Sequence, residues 1–152
     1  MEITRRTDYA IRLIAELVLS EGKPLSVREA ALSQGVPYAF ARSVQHDLAR
    51  SGILNTIRGA HGGMLLAIDP AVYTLFDLIE SVQGPISIAI CTNDKDWCVR
   101  RKGCPFHKVW AGANNLLADY FHSVSLKELI EGEPARLTGF VPKRSRTKTP
   151  VN

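Results

Sequence analysis

The chain of 152 residues has no apolar run near the ~18–20 residues that a membrane-spanning helix needs. Its start, Met1-Glu2-Ile3-Thr4-Arg5-Arg6, has no long apolar core of the secretory kind. It has only three cysteines, an odd number that argues against a disulfide framework and fits a reducing compartment. The expected setting is therefore the cytoplasm, with no membrane partner. Cys-x-x-Cys, His-Glu-x-x-His and Gly-rich nucleotide loops are all missing, as is an evident base beside a nucleophile. An enzyme is not expected. The sequence also has little charge bias outside its tail. The net charge is +4, and Arg136, Lys143, Arg144, Arg146 and Lys148 against Glu133 account for all of it. The high pI thus says nothing about nucleic acid, and any case for DNA rests on where the remaining charges sit.

What is present is a run of helical patterns interrupted once by strands. Tyr9, Leu13, Ile14 and Leu17 recur at helical spacing over residues 7–20. Glu21-Gly22-Lys23-Pro24 stops that helix, and Ser26 with Glu29 forms a capping box opening a short helix to about Gln34. Gly35-Val36-Pro37 is a turn. Pro37 suits the first position of a third helix, 37–51, with Phe40, Val44 and Leu48 on one face and Gly52 at its end. Residues 53–58 and 64–68 read as strands around the turn Gly59-Ala60-His61-Gly62-Gly63. Helix, short helix, turn, helix, hairpin is the order of a winged helix-turn-helix.

A fourth helix is expected over 71–82, with Leu75, Leu78, Ile79 and Val82 inward. Gly84-Pro85 breaks it. An extended apolar run, 86–90, and a polar aperiodic loop, 91–104, come next. A long helix spans Pro105 to His122, and Ser125 caps a last short helix, Leu126 to Glu131. The expected class is mainly α with a small β-hairpin. The division is a winged helix-turn-helix domain at 1–84, a cysteine-bearing loop at 85–104, a long helix and short terminal helix at 105–132, and a disordered basic tail at 133–152.

In a helix-turn-helix the second helix enters the major groove. The exposed positions expected there are Tyr38, Ala39, Arg42, Ser43 and Gln45. Arg and Gln side chains can read guanine and adenine edges in bidentate fashion. Arg58 and His61 mark the wing tip, and Arg28 and Lys23 add candidate phosphate contacts. For any one of these residues a plain solvated helix face is the commoner explanation; for the motif as a unit, DNA binding is the better one.

Cys91, Cys98 and Cys104 fall within one polar stretch. Cys98 adjoins Arg100-Arg101-Lys102, Cys104 opens the long helix, and His107 follows one turn on. These settings suit ligation or redox chemistry more than core packing. Short C-x2–4-C pairs of structural zinc sites are absent, and the wider spacing suits an iron–sulfur core. Thiols acting as a redox sensor without a cluster are the alternative.

Several strings together resemble a known family. They are Tyr9-Ala10, Leu48-x-x-x-Gly52-Ile53-Leu54, Arg58-Gly59-x-x-Gly62-Gly63-x-x-Leu66, Asp77-Leu78-Ile79-x-x-Val82-x-Gly84, the three cysteines with His107, and Ser125-Leu126-x-Glu128-Leu129. From Met1 to about Glu133 the chain is similar to the iron–sulfur winged-helix repressors of the IscR, NsrR and RirA type. The resemblance makes the loop at 85–104 cluster-binding and the long helix the dimerisation element. It implies a homodimer joined through that helix and bound to a double-stranded DNA operator. It implies a [2Fe–2S] or [4Fe–4S] cluster on Cys91, Cys98 and Cys104, sensing nitric oxide, iron or redox state. The fourth ligand is His107 by one branch of the family, or Asp8 of the partner subunit by another.

Overall fold

In the computed structural model the residues described are 2–59 and 62–132. Nine elements follow in chain order: α1 (Arg5–Leu19), α2 (Val27–Ser33), α3 (Tyr38–Arg50), β1 (Leu54–Ile57), β2 (Gly63–Leu66), α4 (Leu75–Gln83), α5 (Ile90–Asn93), α6 (Pro105–His122) and α7 (Leu126–Glu131). The fold is the expected one, mainly helical with one antiparallel hairpin carrying the wing of a winged helix-turn-helix. The Ala60–His61 part of the wing tip and the basic tail lie outside the described residues.

Caps set most helix starts. Thr4, Ser26, Thr74 and Ser125 each accept a hydrogen bond from a backbone N–H in the first turn of the helix they open. At α2, α4 and α7 the box is reciprocal, with Glu29, Asp77 and Glu128 reaching back to the cap residue. The Thr74 box explains why α4 begins at Leu75 and not at 71 as its apolar pattern suggested. α1 starts at Arg5, two residues before the expected point, because Thr4 caps it.

The core gathers on α1. Leu13 and Ile14 are fully buried, together with Ala30, Ala41, Leu48, Ile53, Met64, Leu78 and Leu126 from the surrounding elements. At α3 the buried stripe is Ala41, Val44 and Leu48. Phe40, expected on that stripe, is instead 60% exposed. The small Ala41 lets α3 approach α1 closely, and one helical step of 100° carries Phe40 off the packed face. Residues 86–89 have no regular structure, and Cys91, expected in a loop, lies on the one-turn α5.

The hairpin pairs Leu54 with Leu66 and Ile57 with Gly63. It gains a third rung where Leu25 and Met64 exchange backbone hydrogen bonds of 3.1 and 2.8 Å. This rung requires Gly63, because a Cβ there would lie 2.7 Å from the Leu25 carbonyl oxygen. The C-terminal α7 closes the same core through Leu126, whose N–H bonds the Tyr73 carbonyl at 2.9 Å.

Hydrogen bonds from the Ser26 side chain and backbone hold the Glu29 carboxyl below its ordinary value of 4.5. A depressed carboxyl contributes stability above the unfolded-state value and loses it as pH falls through the folded-state value. Loss of the N-cap hydrogen bond to the Glu29 N–H is expected to make Ser26→Ala cost about 1 kcal/mol. Glu29→Gln is expected to weaken the loss of stability on acidification below the ordinary carboxylate range. Urea unfolding over an acid-to-neutral series checks both, and an unchanged acid limb in Glu29→Gln rules out this account of the box.

Candidate nucleic-acid interface and cysteine site

α3 presents Tyr38, Ala39, Arg42 and Ser43 to solvent, with Gln45 half-buried beside them. The helix has no side-chain cap, since Pro37 occupies the N-cap position, so its first-turn N–H groups take no side-chain partner there. Arg28 of α2 lays its guanidinium over the Tyr38 ring, 4.9 Å from the centroid. That stacking fixes a cation at the entrance to α3. Phe40 extends the surface and meets Tyr9 of α1 with ring centroids 6.0 Å apart. Arg58 stands exposed where β1 ends. His61 lies outside the described residues.

One cation was not anticipated. Arg6, in the first turn of α1, donates to the Ser43 hydroxyl at 3.3 Å and pairs with Asp47. Asp47 also meets Arg50 at 3.3 Å and faces His46 at 3.9 Å. The exposed α3 face is thus tied to the start of α1, and Asp47 offsets part of its positive charge. The signal in the sequence is the Arg5-Arg6 pair, which a helix start at residue 7 leaves out.

The cysteines occupy three different backbone settings. Cys91 is on α5, Cys98 lies in the irregular stretch after it, and Cys104 is the N-cap of α6. All three are free thiols and half-buried. Two successive turns link the last pair, with Arg101 N–H bonding the Cys98 carbonyl at 3.1 Å and Cys104 N–H bonding the Arg101 carbonyl at 3.3 Å. Among the described residues, no three His, Cys, Asp or Glu side chains are assembled closely enough to hold a metal ion. Two buried polar atoms in this region have no hydrogen-bond partner: His107 Nδ1 and Arg101 Nε. A buried imidazole nitrogen without a partner is costly, and ligation is one way to satisfy it. Asp8, by contrast, already holds a partner in the Arg12 guanidinium at 3.0 Å, one turn along α1.

The α6 helix that follows has no buried residue over its 18 positions. Phe106, Val109, Trp110 and Leu116 are all exposed on it. Its contacts within the chain run to α4 and α5. Asn114 Oδ1 accepts from the Ile88 N–H at 3.1 Å, which pins the stretch before Cys91 to this helix. Among the described residues no helix is long and apolar enough to cross a membrane.

A family model described as "Rrf2: Iron-dependent Transcriptional regulator" matches residues 3–132. The HTH-type transcriptional regulator NsrR of Shouchella clausii is 26% identical over 135 residues, covering 88% of this chain and 91% of that protein. Among solved structures, CymR, the global cysteine regulator of B. subtilis, superposes with a TM-score of 0.73 at 24% identity, covering 88% of this chain and 98% of its own. IscR of T. potens gives a TM-score of 0.68 at 19% identity over 94% of both chains. At these identities the two structures establish the fold that the elements above describe.

Proposed function

The chain belongs to the Rrf2 family of transcriptional regulators, and on that premise we propose that it is a dimeric DNA-binding regulator whose operator affinity is set by an iron–sulfur cluster on Cys91, Cys98, Cys104 and His107. The observation that carries the cluster is the unpartnered His107 Nδ1, buried one turn after Cys104. Three thiols and an imidazole are a donor set suited to a [2Fe–2S] or [4Fe–4S] core. The unpartnered Arg101 Nε supplies a donor for the negative charge that thiolates and sulfides bring. Asp8 is the weaker candidate for the fourth position, because ligation there gives up its pairing with Arg12. With a cluster held, Cys91, Cys98, Cys104 and His107 would tie the stretch from Cys91 to Cys104 to the start of α6.

For the DNA, Arg42 is the direct reader, exposed on α3 with no partner of opposite charge among the described residues. Arg28, Arg58 and the N-terminal amides of α3 serve the phosphates. Tyr38, Ala39, Ser43 and Gln45 complete the surface, and His61 would extend it at the wing. The second subunit belongs on α6. A helix of 18 residues that buries none of them, with Phe106, Val109 and Trp110 exposed, has an apolar face suited to its symmetry mate. A regulator that senses through its thiols without a cluster is the second reading, and the free half-buried state of all three cysteines is what favours it.

Protein purified without oxygen is expected to be brown, with near-stoichiometric iron and sulfide. His107→Ala should lower the retained iron and alter the visible spectrum, whereas Asp8→Ala should leave both as in wild type. The opposite pattern moves the fourth ligand to Asp8. A colourless protein that resists reconstitution with iron and sulfide overturns the cluster in favour of the thiol sensor.

On DNA, Arg42→Ala is expected to cost about 1–3 kcal/mol on a selected duplex and to relax preference at one base pair. Arg28→Ala should weaken binding to all sequences alike and reduce the salt slope by about 1. Titrations at several salt concentrations distinguish the two. A loss confined to one sequence in Arg28→Ala assigns it to base reading instead.

A further inference from the structure

Resting on the reading of the 85–104 stretch as the sensing segment, we propose that Gln83 is a positioning residue that couples this segment to the recognition face of α3 through the N-terminal residues 2–7 and Arg6. Gln83 is the last residue of α4. The sensing segment leaves it directly through Gly84, whose φ of 85° is a conformation that side-chain-bearing residues rarely adopt. The backbone path from Cys91 to Gln83 is therefore short and sharply turned. Its far end is pinned to α6 by the Asn114–Ile88 hydrogen bond.

The side chain of Gln83 faces the other way, across 76 to 81 residues of sequence. Its Oε1 accepts from the Thr4 N–H at 3.1 Å and from the Thr7 hydroxyl at 2.7 Å. Its Nε2 donates to the Glu2 carbonyl at 3.2 Å. Thr7 is fully buried, and apart from Gln83 its hydroxyl meets the Thr4 hydroxyl at 3.1 Å, so loss of Gln83 leaves it one partner in place of two. Residues 2–6, in contrast, are all exposed. Apolar burial does not hold the residues before α1; two hydrogen bonds to the Gln83 amide, from the Thr4 N–H and to the Glu2 carbonyl, do, and a third reaches Thr7 in the first turn of α1. Arg6 lies inside this clamped stretch, and from there reaches Ser43 and Asp47 on α3.

The chemistry at α3 depends on that reach. With the guanidinium donating to the Ser43 oxygen, the hydroxyl proton is left for an outside acceptor such as a phosphate or a base. With Arg6 on Asp47, the carboxylate is neutralised beside the DNA-facing surface. A displacement of Gln83 withdraws both effects together. It turns Ser43 toward other partners and returns a negative charge to the surface that must meet phosphates.

The coupling is measured as a ratio of affinities for one probe, a duplex selected by the wild-type protein from a random-sequence pool. The sensing segment is set in two ways on the full chain: by loading with iron and sulfide, and by alkylating the three thiols. Each is compared with the untreated apo form. In wild type the affinity is expected to differ about tenfold between states, within the ordinary range of allosteric coupling. In Gln83→Met the ratio should fall to within about twofold of one. In Gln83→Glu, which keeps the Oε1 acceptor for Thr4 and Thr7 but loses the donor to the Glu2 carbonyl, the ratio should fall less than in Gln83→Met. A merely structural role would lower the melting temperature of Gln83→Met and leave the ratio alone, and that result overturns the proposal. If Gln83→Met fails to fold, Arg6→Gln at the exposed end of the path decides the matter by the same ratio. A wild-type ratio of one in both treatments also overturns it. Failure to take up iron overturns only the cluster reading, because the alkylated form still reports the coupling.

Discussion

The fold depends on the burial of one helix among five neighbours. α1 packs against α2, α3, α4, β2 and α7, and its inward residues Ala10, Leu13, Ile14, Leu17 and Val18 are nearly or wholly removed from water. An apolar stripe about 100° wide serves an ordinary surface helix. Here Leu13 and Ile14, adjacent in sequence and both fully buried, widen the packed face so that the helix-turn-helix, the hairpin and the C-terminal α7 share a single core. Anything that moves α1 along its axis must repack all of these at once. Interiors at crystal-like density resist that, so α1 is the fixed frame of the molecule. Motion relevant to regulation therefore belongs to parts outside that core: the exposed residues 2–6 at and before the start of α1, and the stretch between α4 and α6.

α6 has the opposite energetics. It carries large apolar side chains but buries none of its residues within the chain. Burial of apolar area is worth roughly 25 cal/mol per Å². Phe106, Val109 and Trp110 thus hold several kcal/mol that the monomer leaves unused. A two-fold partner would bury the same set twice. The cysteine stretch is anchored to this helix by Asn114 and by α5, so in the proposed dimer the subunit contact and the cluster share one support. The recognition helices would then be oriented by the element that the sensing residues grip.

Much of this was legible in the sequence, and the legible parts share a cause. α6 and α7 have the bounds expected from Pro105, Ser125 and Glu128, and α2 opens on the Ser26–Glu29 box, because capping is settled within four residues. The failures are those that local signals do not decide. Phe40 and Ala41 are neighbours, and only the approach of α1 determines which faces inward. The apolar 71–74 stretch looked helical, but Tyr73 serves instead as a backbone partner for Leu126. Cys91 lies on the short α5, an element that meets α6 across the intervening stretch and that local signals do not announce. The exposed positions Tyr38, Ala39, Arg42 and Ser43 on α3 were readable from helical phase. Arg6 and Gln83 were not, since their partners lie 37 and 76 or more residues away and neither carries a motif. The donor set Cys91, Cys98, Cys104 and His107 was readable as chemistry. The buried, unpartnered state of His107 Nδ1, which favours it over Asp8, exists only in three dimensions.

The charge distribution sets how such a regulator must work. Outside residues 133–152 the cations and anions balance, so no long-range field draws this body to DNA. In the proposed reading attraction is local, from Arg28, Arg42 and Arg58, and Asp47 would subtract from it were it not paired with Arg6 and Arg50. Counterion release scales with the number of phosphates neutralised, so one subunit with few free cations binds weakly and with a shallow dependence on salt. Useful affinity then requires two subunits to engage together, and joint engagement is lost when their geometry forbids it. Half-sites about one helical turn apart leave little tolerance in that spacing. A weakly charged face therefore makes a better switch than a strongly charged one. With few contacts per subunit, a small change in the grip on α3 or in the seating of α6 suffices to decide between bound and free.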